Sequence, residues 1–181
     1  MALRRGRAFA AGMALGLLAV KPQFGVVLAV VMLISREWPL ILGAATSVGL
    51  QAGLIVLVMG QDVLGSYVEA VEQIPNVAAL LEPRSYQLHS IRGWTQLLPA
   101  RVGTGVYGIS VLVVGWYASR AWRGRAPLEL RFAVVILAAC LANPHFTVYD
   151  ATVLALPLLW TGAWVQGQRP DRPNRAFWPL V

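Results

Sequence analysis

The sequence predicts an all-α polytopic membrane protein: a helical bundle of about six transmembrane helices that includes two broken hairpins. Three observations lead there. Of the 181 residues, 57% are hydrophobic and only 13% charged, with a mean hydropathy of +0.62; a soluble domain carries about 25% charged residues. The apolar residues fall into six runs, 8–20, 23–35, 38–60, 102–118, 132–142 and 151–165. The arginines, which dominate 15 basic against 8 acidic residues, sit in short clusters between those runs, the habit of cytoplasmic membrane loops.

Taken in order, run 8–20 follows Arg4, Arg5 and Arg7 in the manner of a signal peptide. It lacks a small-x-small cleavage site and leads through Lys21-Pro22-Gln23 into more apolar sequence, so a retained helix is expected. Run 38–60 is free of charge and long enough to cross a hydrocarbon core of about 30 Å. Run 102–118 spans with its flanks. The remaining four runs form two pairs, one broken at 21–23 and the other at 143–150. A single helix over 132–165 would be about 50 Å long at 1.5 Å per residue, and prolines sit at both breaks. Hairpins are therefore predicted. With both pairs folded back, three clusters share one side with Arg36: Arg4/Arg5/Arg7, Arg120/Arg123/Arg125/Arg131 and Arg169/Arg172/Arg175.

That topology gives one membrane domain over 1–168 in the plasma membrane, with both termini cytoplasmic and 169–181 a loosely ordered tail. The connection 61–101 and both breaks then emerge at the outer face. Within the connection, 63–81 alternates apolar and acidic positions, and Leu88, Ile91, Trp94, Leu97 and Leu98 fall on one helical face. Such segments lie in the membrane interface or pack on the helix ends.

Lys21 and Asp150 are the only charged residues that interrupt the paired runs. An ionisable group at membrane depth costs about 2.5–3.5 kcal/mol on insertion scales and marks a functional site; snorkelling from a helix end is the plainer alternative. Lys21, beside Pro22 and Gln23, is placed to bind a lipid phosphate. Asn143, His145, Tyr149 and Asp150 put four hydrogen-bonding side chains within eight residues. A solvated turn accounts for Asn143-Pro144 but less easily for His145 and Asp150. His145 reads as a proton carrier, a donor to substrate oxygens, or a satisfied turn histidine. His89 and Arg92 stand in the middle of the outer connection.

Several chemistries drop out. The basic residues do not interleave with aromatics on a polar surface, so nucleic acid is not expected as a partner. Two histidines 56 positions apart and the single Cys140 make no metal pattern, and Cys140 reads as a small packing residue. There is no phosphate-cradling glycine loop or glycine-flanked nucleophilic serine. Gly12, Gly16, Gly43, Gly49 and Gly53 read as close helix packing.

The stretch Gly12-x-x-x-Gly16-Leu17-Leu18-Ala19-Val20-Lys21-Pro22-Gln23, an apolar helix, then Arg36-Glu37-Trp38 resembles glycosyltransferase family 87. These are GT-C-type membrane enzymes that include polyprenol-phosphate-mannose-dependent mannosyltransferases. Ser90-Ile91-Arg92-Gly93 and Asn143-Pro144-His145…Tyr149-Asp150 are similar to the family's later motifs. The resemblance implies transfer of a hexose, mannose in those members, from a polyprenyl phosphate sugar to a hydroxyl of a lipid or glycan acceptor at the outer membrane face. The lipid-linked donor is a substrate, and no cofactor is implied. Lys21, Gln23 and Arg92 would bind the donor phosphate. His145 or Asp150 would orient or deprotonate the acceptor, and Asn143, Tyr149 and His89 would contact substrate. The chain corresponds to the family's C-terminal half, so a separate N-terminal half carrying a catalytic carboxylate is expected, and inactivity without it. Two other classes stand beside this one: a non-enzymatic membrane subunit, and a small transporter, for which no internal repeat is visible.

Overall fold

The computed structural model describes residues 6–81 and 83–168. Among the described residues the protein is all helical, with eight α-helices and three short 3-10 segments. The terminal clusters Arg4/Arg5 and Arg169/Arg172/Arg175, with the tail 169–181, lie outside the described residues.

The first three helices form an up-down-up unit. Helix α1 (Ala8–Gly16) tightens into a 3-10 turn over Leu17–Val20, breaks at Lys21, and is followed by α2 (Pro22–Ile34). Pro22 opens α2 where its missing N–H leaves no bond unmade. The 35–37 turn closes α2 with two backbone bonds, Glu37 N–H to Met32 C=O (3.0 Å) and Arg36 N–H to Leu33 C=O (3.1 Å). That 6→1 and 5→2 pattern needs a left-handed residue, and Arg36 supplies it at φ 58°. Helix α3 (Trp38–Met59) then runs 22 residues parallel to α1.

Packing of α1 on α3 depends on three of the glycines singled out in the sequence. A β-carbon on Gly12 would strike the Leu40 carbonyl, one on Gly43 the Phe9 carbonyl, and one on Gly16 the Ser47 side chain. Backbones can come this close in lipid only where side chains vanish. Gln51 Nε2 donates to the Gly16 carbonyl at 3.0 Å, satisfying it where the helix changes pitch. Run 8–20 is thus packed along α3. Gly49 and Gly53 differ from expectation: a β-carbon on either would meet nothing within 4 Å, because both lie on the face of α3 turned away from the Leu40, Gly43, Ser47 and Gln51 seam.

Helix α4 (Asp62–Leu81) is a single 20-residue helix. Leu64, Tyr67, Val68, Val71 and Ile74 make an exposed apolar stripe at 3–4-residue spacing. A 3-10 turn over Ser85–Gln87 and the short α5 (Ile91–Thr95) complete the connection. The expected common face of Leu88, Ile91, Trp94, Leu97 and Leu98 does not form, because α5 ends at Thr95 and Leu88 lies outside it. Leu88 is buried while Trp94 and Leu97 are exposed.

The second unit is down-up-down. Helix α6 (Ala100–Arg123) and α7 (Leu128–Ala142) are joined by a short turn, and a 3-10 segment over Val148–Leu154 leads into α8 (Ala155–Gly167). The units meet through α2, which packs on α6 and α7. Their shared core is Val31, Met32, Leu40, Ala118, Trp122, Val135 and Ala138. Among the described residues three stretches are long and apolar enough to cross a membrane: Trp38–Met59, Ala100–Arg123 and Val148–Gly167. Their outward side chains, such as Leu50, Leu54 and Leu57 on α3, are exposed in the manner of lipid-facing surface.

One difference from the sequence reading matters for the site. The breaks at 21–23 and 143–150 do not stand level with the helix tops. From the common turn at 35–37, α3 reaches about 33 Å but α2 only about 20 Å at 1.5 Å per residue. On the other side, the Tyr107 hydroxyl donates to the Ala142 carbonyl at 2.5 Å, which fixes the top of α7 about two turns below the start of α6. Both breaks are recessed by about 10 Å because the helices that carry them are short.

Candidate functional site

The recess is built from two chain breaks brought together across 129 positions of sequence. Lys21 Nζ donates to Asp150 Oδ1 in an ion pair. The lysine ends the 3-10 turn that follows α1, and Pro22 prevents the chain from continuing as one helix. Its ammonium also lies 5.5 Å from the centre of the Phe24 ring, a cation–π contact. Phe24 in turn meets Phe146 edge to face at 6.3 Å, so an aromatic pair packs beneath the ion pair.

Asp150 is held from both sides. Its Oδ2 accepts the Thr147 backbone N–H at 3.0 Å and the Thr147 hydroxyl at 3.3 Å, while its own N–H donates to the Thr147 carbonyl at 2.9 Å. This is the reciprocal cap that starts the Val148–Leu154 segment. The Asp150 side chain is 3% exposed and that of Lys21 is 49% exposed. The pair thus joins a fixed carboxylate to a cation that reaches open space.

The rest of the 143–150 break wraps around this pair. Asn143 is buried; its Oδ1 accepts the His145 backbone N–H at 2.8 Å, and its Nδ2 has no partner. His145 and Tyr149 are both exposed. The outer connection is stitched to the break by one backbone bond, His89 N–H to Phe146 C=O at 2.8 Å. Ser90, next in sequence, is buried with its hydroxyl unpartnered.

Arg92 is not brought to Lys21. It lines a separate cleft between α5 and the first turns of α6, with Thr95, Gln96, Gly103, Thr104 and Tyr107. Gly103 lets α6 approach the Thr95 carbonyl, and Gly93 lets α5 approach the Leu88 carbonyl. The structure therefore gathers Lys21, Asp150, Asn143, His145 and His89 about one turn, and sets Arg92 on that turn's other flank. Gln23 follows Pro22 in the first turn of α2.

Two residues that sequence reasoning passed over belong here. Thr147 fixes Asp150, and the Ser/Thr-x-x-acid spacing Thr147-Val148-Tyr149-Asp150 is a capping signature readable from sequence. Tyr107 ties α6 to the turn; its signal is a phenol in an apolar helix, where a hydroxyl must find a partner.

At the opposite, arginine-bearing end the two units are clasped. Trp122 Nε1 donates to Glu37 Oε1 at 3.0 Å, Arg131 donates to the Trp122 carbonyl at 2.9 Å, and Arg123 donates to the Ile34 carbonyl. Arg36, Arg120, Arg123 and Arg131 thus share an end of the bundle, as the charge pattern predicts.

The sequence profile described as glycosyltransferase family 87 matches residues 1–144. The match includes Lys21, Gln23, His89, Arg92 and Asn143, and it ends before His145, Tyr149 and Asp150. The chain matches no curated protein and no solved structure. A match over that much of 181 residues, on an all-helical membrane bundle with its polar residues recessed at one end, settles the membership: this chain belongs to glycosyltransferase family 87.

Proposed function

We propose that the recess is the donor-phosphate side of a membrane hexosyltransferase, with a polyprenyl phosphate sugar as donor and mannose as the sugar. The observation that carries this reading is the Lys21–Asp150 pair, which presents a half-open cation at membrane depth next to apolar and aromatic surface. In the transfer, an acceptor hydroxyl oxygen forms a bond to the sugar's anomeric carbon as the bond from that carbon to the phosphate oxygen breaks. Polyprenyl phosphate leaves with the bonding electrons. Negative charge builds on the phosphate, where Lys21 is placed to stabilise it. Gln23, at the start of α2, adds a neutral donor. The proton of the acceptor hydroxyl passes to a base, and His145 is the exposed group on this turn suited to take or orient it. Asp150, with both oxygens engaged and little exposure, positions Lys21 instead of acting as a base. Asn143, Tyr149 and His89 border the space above.

Transport across the membrane would also use two breaks that meet. Here they meet at membrane depth, about 20 Å from the arginine-bearing end by helix length; what favours chemistry over transport is that no internal repeat relates two halves of the sequence. The arginine asymmetry supports a site at the outer face of the plasma membrane with both termini cytoplasmic. A separate N-terminal half would complete the enzyme.

The test is to replace Lys21 by Gln and by Arg in the source cell and assay membranes for hexose transfer from a radiolabelled polyprenyl phosphate sugar. Lys21→Gln is expected to abolish transfer with the chain present at normal abundance in the membrane, and Lys21→Arg to keep a measurable part. Unchanged transfer in Lys21→Gln would end the proposal. Loss of transfer that tracks loss of the chain would point to an assembly role instead.

A further inference from the structure

A groove of about 630 Å³ runs from beneath the Lys21–Asp150 pair toward the arginine-bearing end. Its walls are α1 and α8, and its floor is α2 and α7. Helix α1 packs on α3 and α8 packs on α7, so the two walls stand apart and the groove opens sideways between them, where Ala14 and Leu156 are exposed. The upper rim belongs to the recess. Leu18 and Phe24 lie three residues either side of Lys21, and Val153 lies three residues after Asp150, so each stands about one turn from a member of the ion pair. At the lower end are Phe132 and Trp160, whose ring centres lie 6.3 Å apart. Among the described residues that line the groove only Glu129, in the first turn of α7, is charged.

Apolar surface of this extent does not stay empty, because a void forfeits the dispersion contacts of every atom that lines it. The cation at its upper end decides among occupants. A lipid with its phosphate on Lys21 hangs its chain where Leu18, Phe24 and Val153 begin the groove, so headgroup and chain follow one continuous path. At the roughly 30 Å³ that a small group takes up in a liquid, the groove holds about twenty methylene-sized groups. That is room for one short prenyl segment, and less than the paired acyl chains of a phospholipid need. We infer that the groove seats the first isoprene units of a single-chain polyprenyl phosphate, and so selects that lipid over the two-chain phospholipids of the surrounding bilayer. This inference rests on the donor reading above and adds to it the path of the chain. Sugar and phosphate stay together in the recess. The chain alone enters the bundle, and the units beyond the groove leave for the bilayer between α1 and α8.

The experiment measures binding of geranylgeranyl phosphate to the full chain in detergent micelles by native mass spectrometry, with dioleoyl phosphatidic acid as the two-chain competitor. The prenyl phosphate is expected to bind about tenfold more tightly than the competitor. Ala14→Trp and Leu156→Trp fill the groove from its two walls at exposed positions and are expected to weaken prenyl phosphate binding about tenfold. Leu158→Trp, exposed on α8 outside the groove, is expected to leave it unchanged. Circular dichroism checks the fold of each variant. Phosphatidic acid bound as tightly as the prenyl phosphate, or wild-type affinity in both filled variants, overturns the assignment. A measurement on the unaltered chain stands beside these: a benzophenone at the far end of the prenyl chain is expected to crosslink within 128–136 or 153–160. Crosslinks confined to α3 or α6 would overturn the assignment as well. Lys21→Gln separates this claim from the one it rests on. Binding lost in Lys21→Gln but kept in both filled variants would end the groove and leave the phosphate reading standing. Binding kept in Lys21→Gln but lost in the filled variants would defeat Lys21 as the phosphate ligand and leave the groove.

Discussion

The two ends of this bundle use charge in opposite ways. At the arginine-bearing end, Trp122 is 2% exposed, and the polar side chains around it bond mainly to backbone carbonyls and to its indole. Arg131 also stacks over the Trp122 ring at 5.4 Å and Phe132 meets it edge to face at 5.0 Å. Arg123 satisfies a carbonyl at the C-terminus of α2, where cations are favoured and orphan acceptors must be met. At the other end a cation faces a carboxylate, half in the open. The arginines cap helix-end carbonyls and pack over Trp122, so releasing them exposes acceptors and core surface; releasing Lys21 frees a cation to which any phosphate offers the same charge as Asp150. One end is arranged to hold and the other to exchange.

The sharpest way to break this contrast is Trp122→Ala. It empties the clasp at the centre of the core and is expected to lower stability by about 3–5 kcal/mol in a mixed-micelle unfolding titration. Affinity of the folded fraction for polyprenyl phosphate is expected to stay unchanged, and a coupled loss would show that the ends are not independent. Next in size, Asp150→Ala strands Lys21 and removes the Thr147 cap, costing about 1–3 kcal/mol; the half exposure of Lys21 keeps this below the value for a fully buried pair. Asp150→Asn retains the cap and removes the competing charge. It is expected to cost less stability and to bind polyprenyl phosphate more tightly than wild type, measured by native mass spectrometry. Weaker binding in that variant would mean that the carboxylate orients Lys21 in the bound state. Smallest of all, Glu37→Gln leaves an oxygen able to accept from Trp122 and is expected to change stability by less than about 1 kcal/mol, while Glu37→Leu, which has none, costs more.

Much of the frame was legible because it follows from local rules. The broken hairpins follow from Pro22 and Pro144, the shared end of the arginines from charge counting, and the α1–α3 seam from Gly12, Gly16 and Gly43. Glycine spacing overreached at Gly49 and Gly53, since it reports what could pack and not what arrives. Lys21 and Asp150 were each conspicuous as charges in apolar sequence, but their pairing joins positions 129 apart and has no periodic signal. The recess was hidden for a related reason: it depends on the difference in length between neighbouring helices, not on any one of them. The cleft that Arg92 lines was not legible in the sequence, because only the approach of Gly103 to Thr95 reveals that α5 and α6 enclose one there.

The bond between the His89 amide and the Phe146 carbonyl has a kinetic consequence. It is a backbone stitch of about 1 kcal/mol between two segments that are otherwise joined by the burial of Leu88 and Phe146. Parting there is a local event that leaves the helices intact. The His89 amide proton is therefore expected to exchange with solvent far sooner than those in the middle of α7, and its protection to lengthen when a ligand bridges the turn and the outer connection. Deuterium uptake at that one position would time the opening of the recess directly, with no assay of transfer.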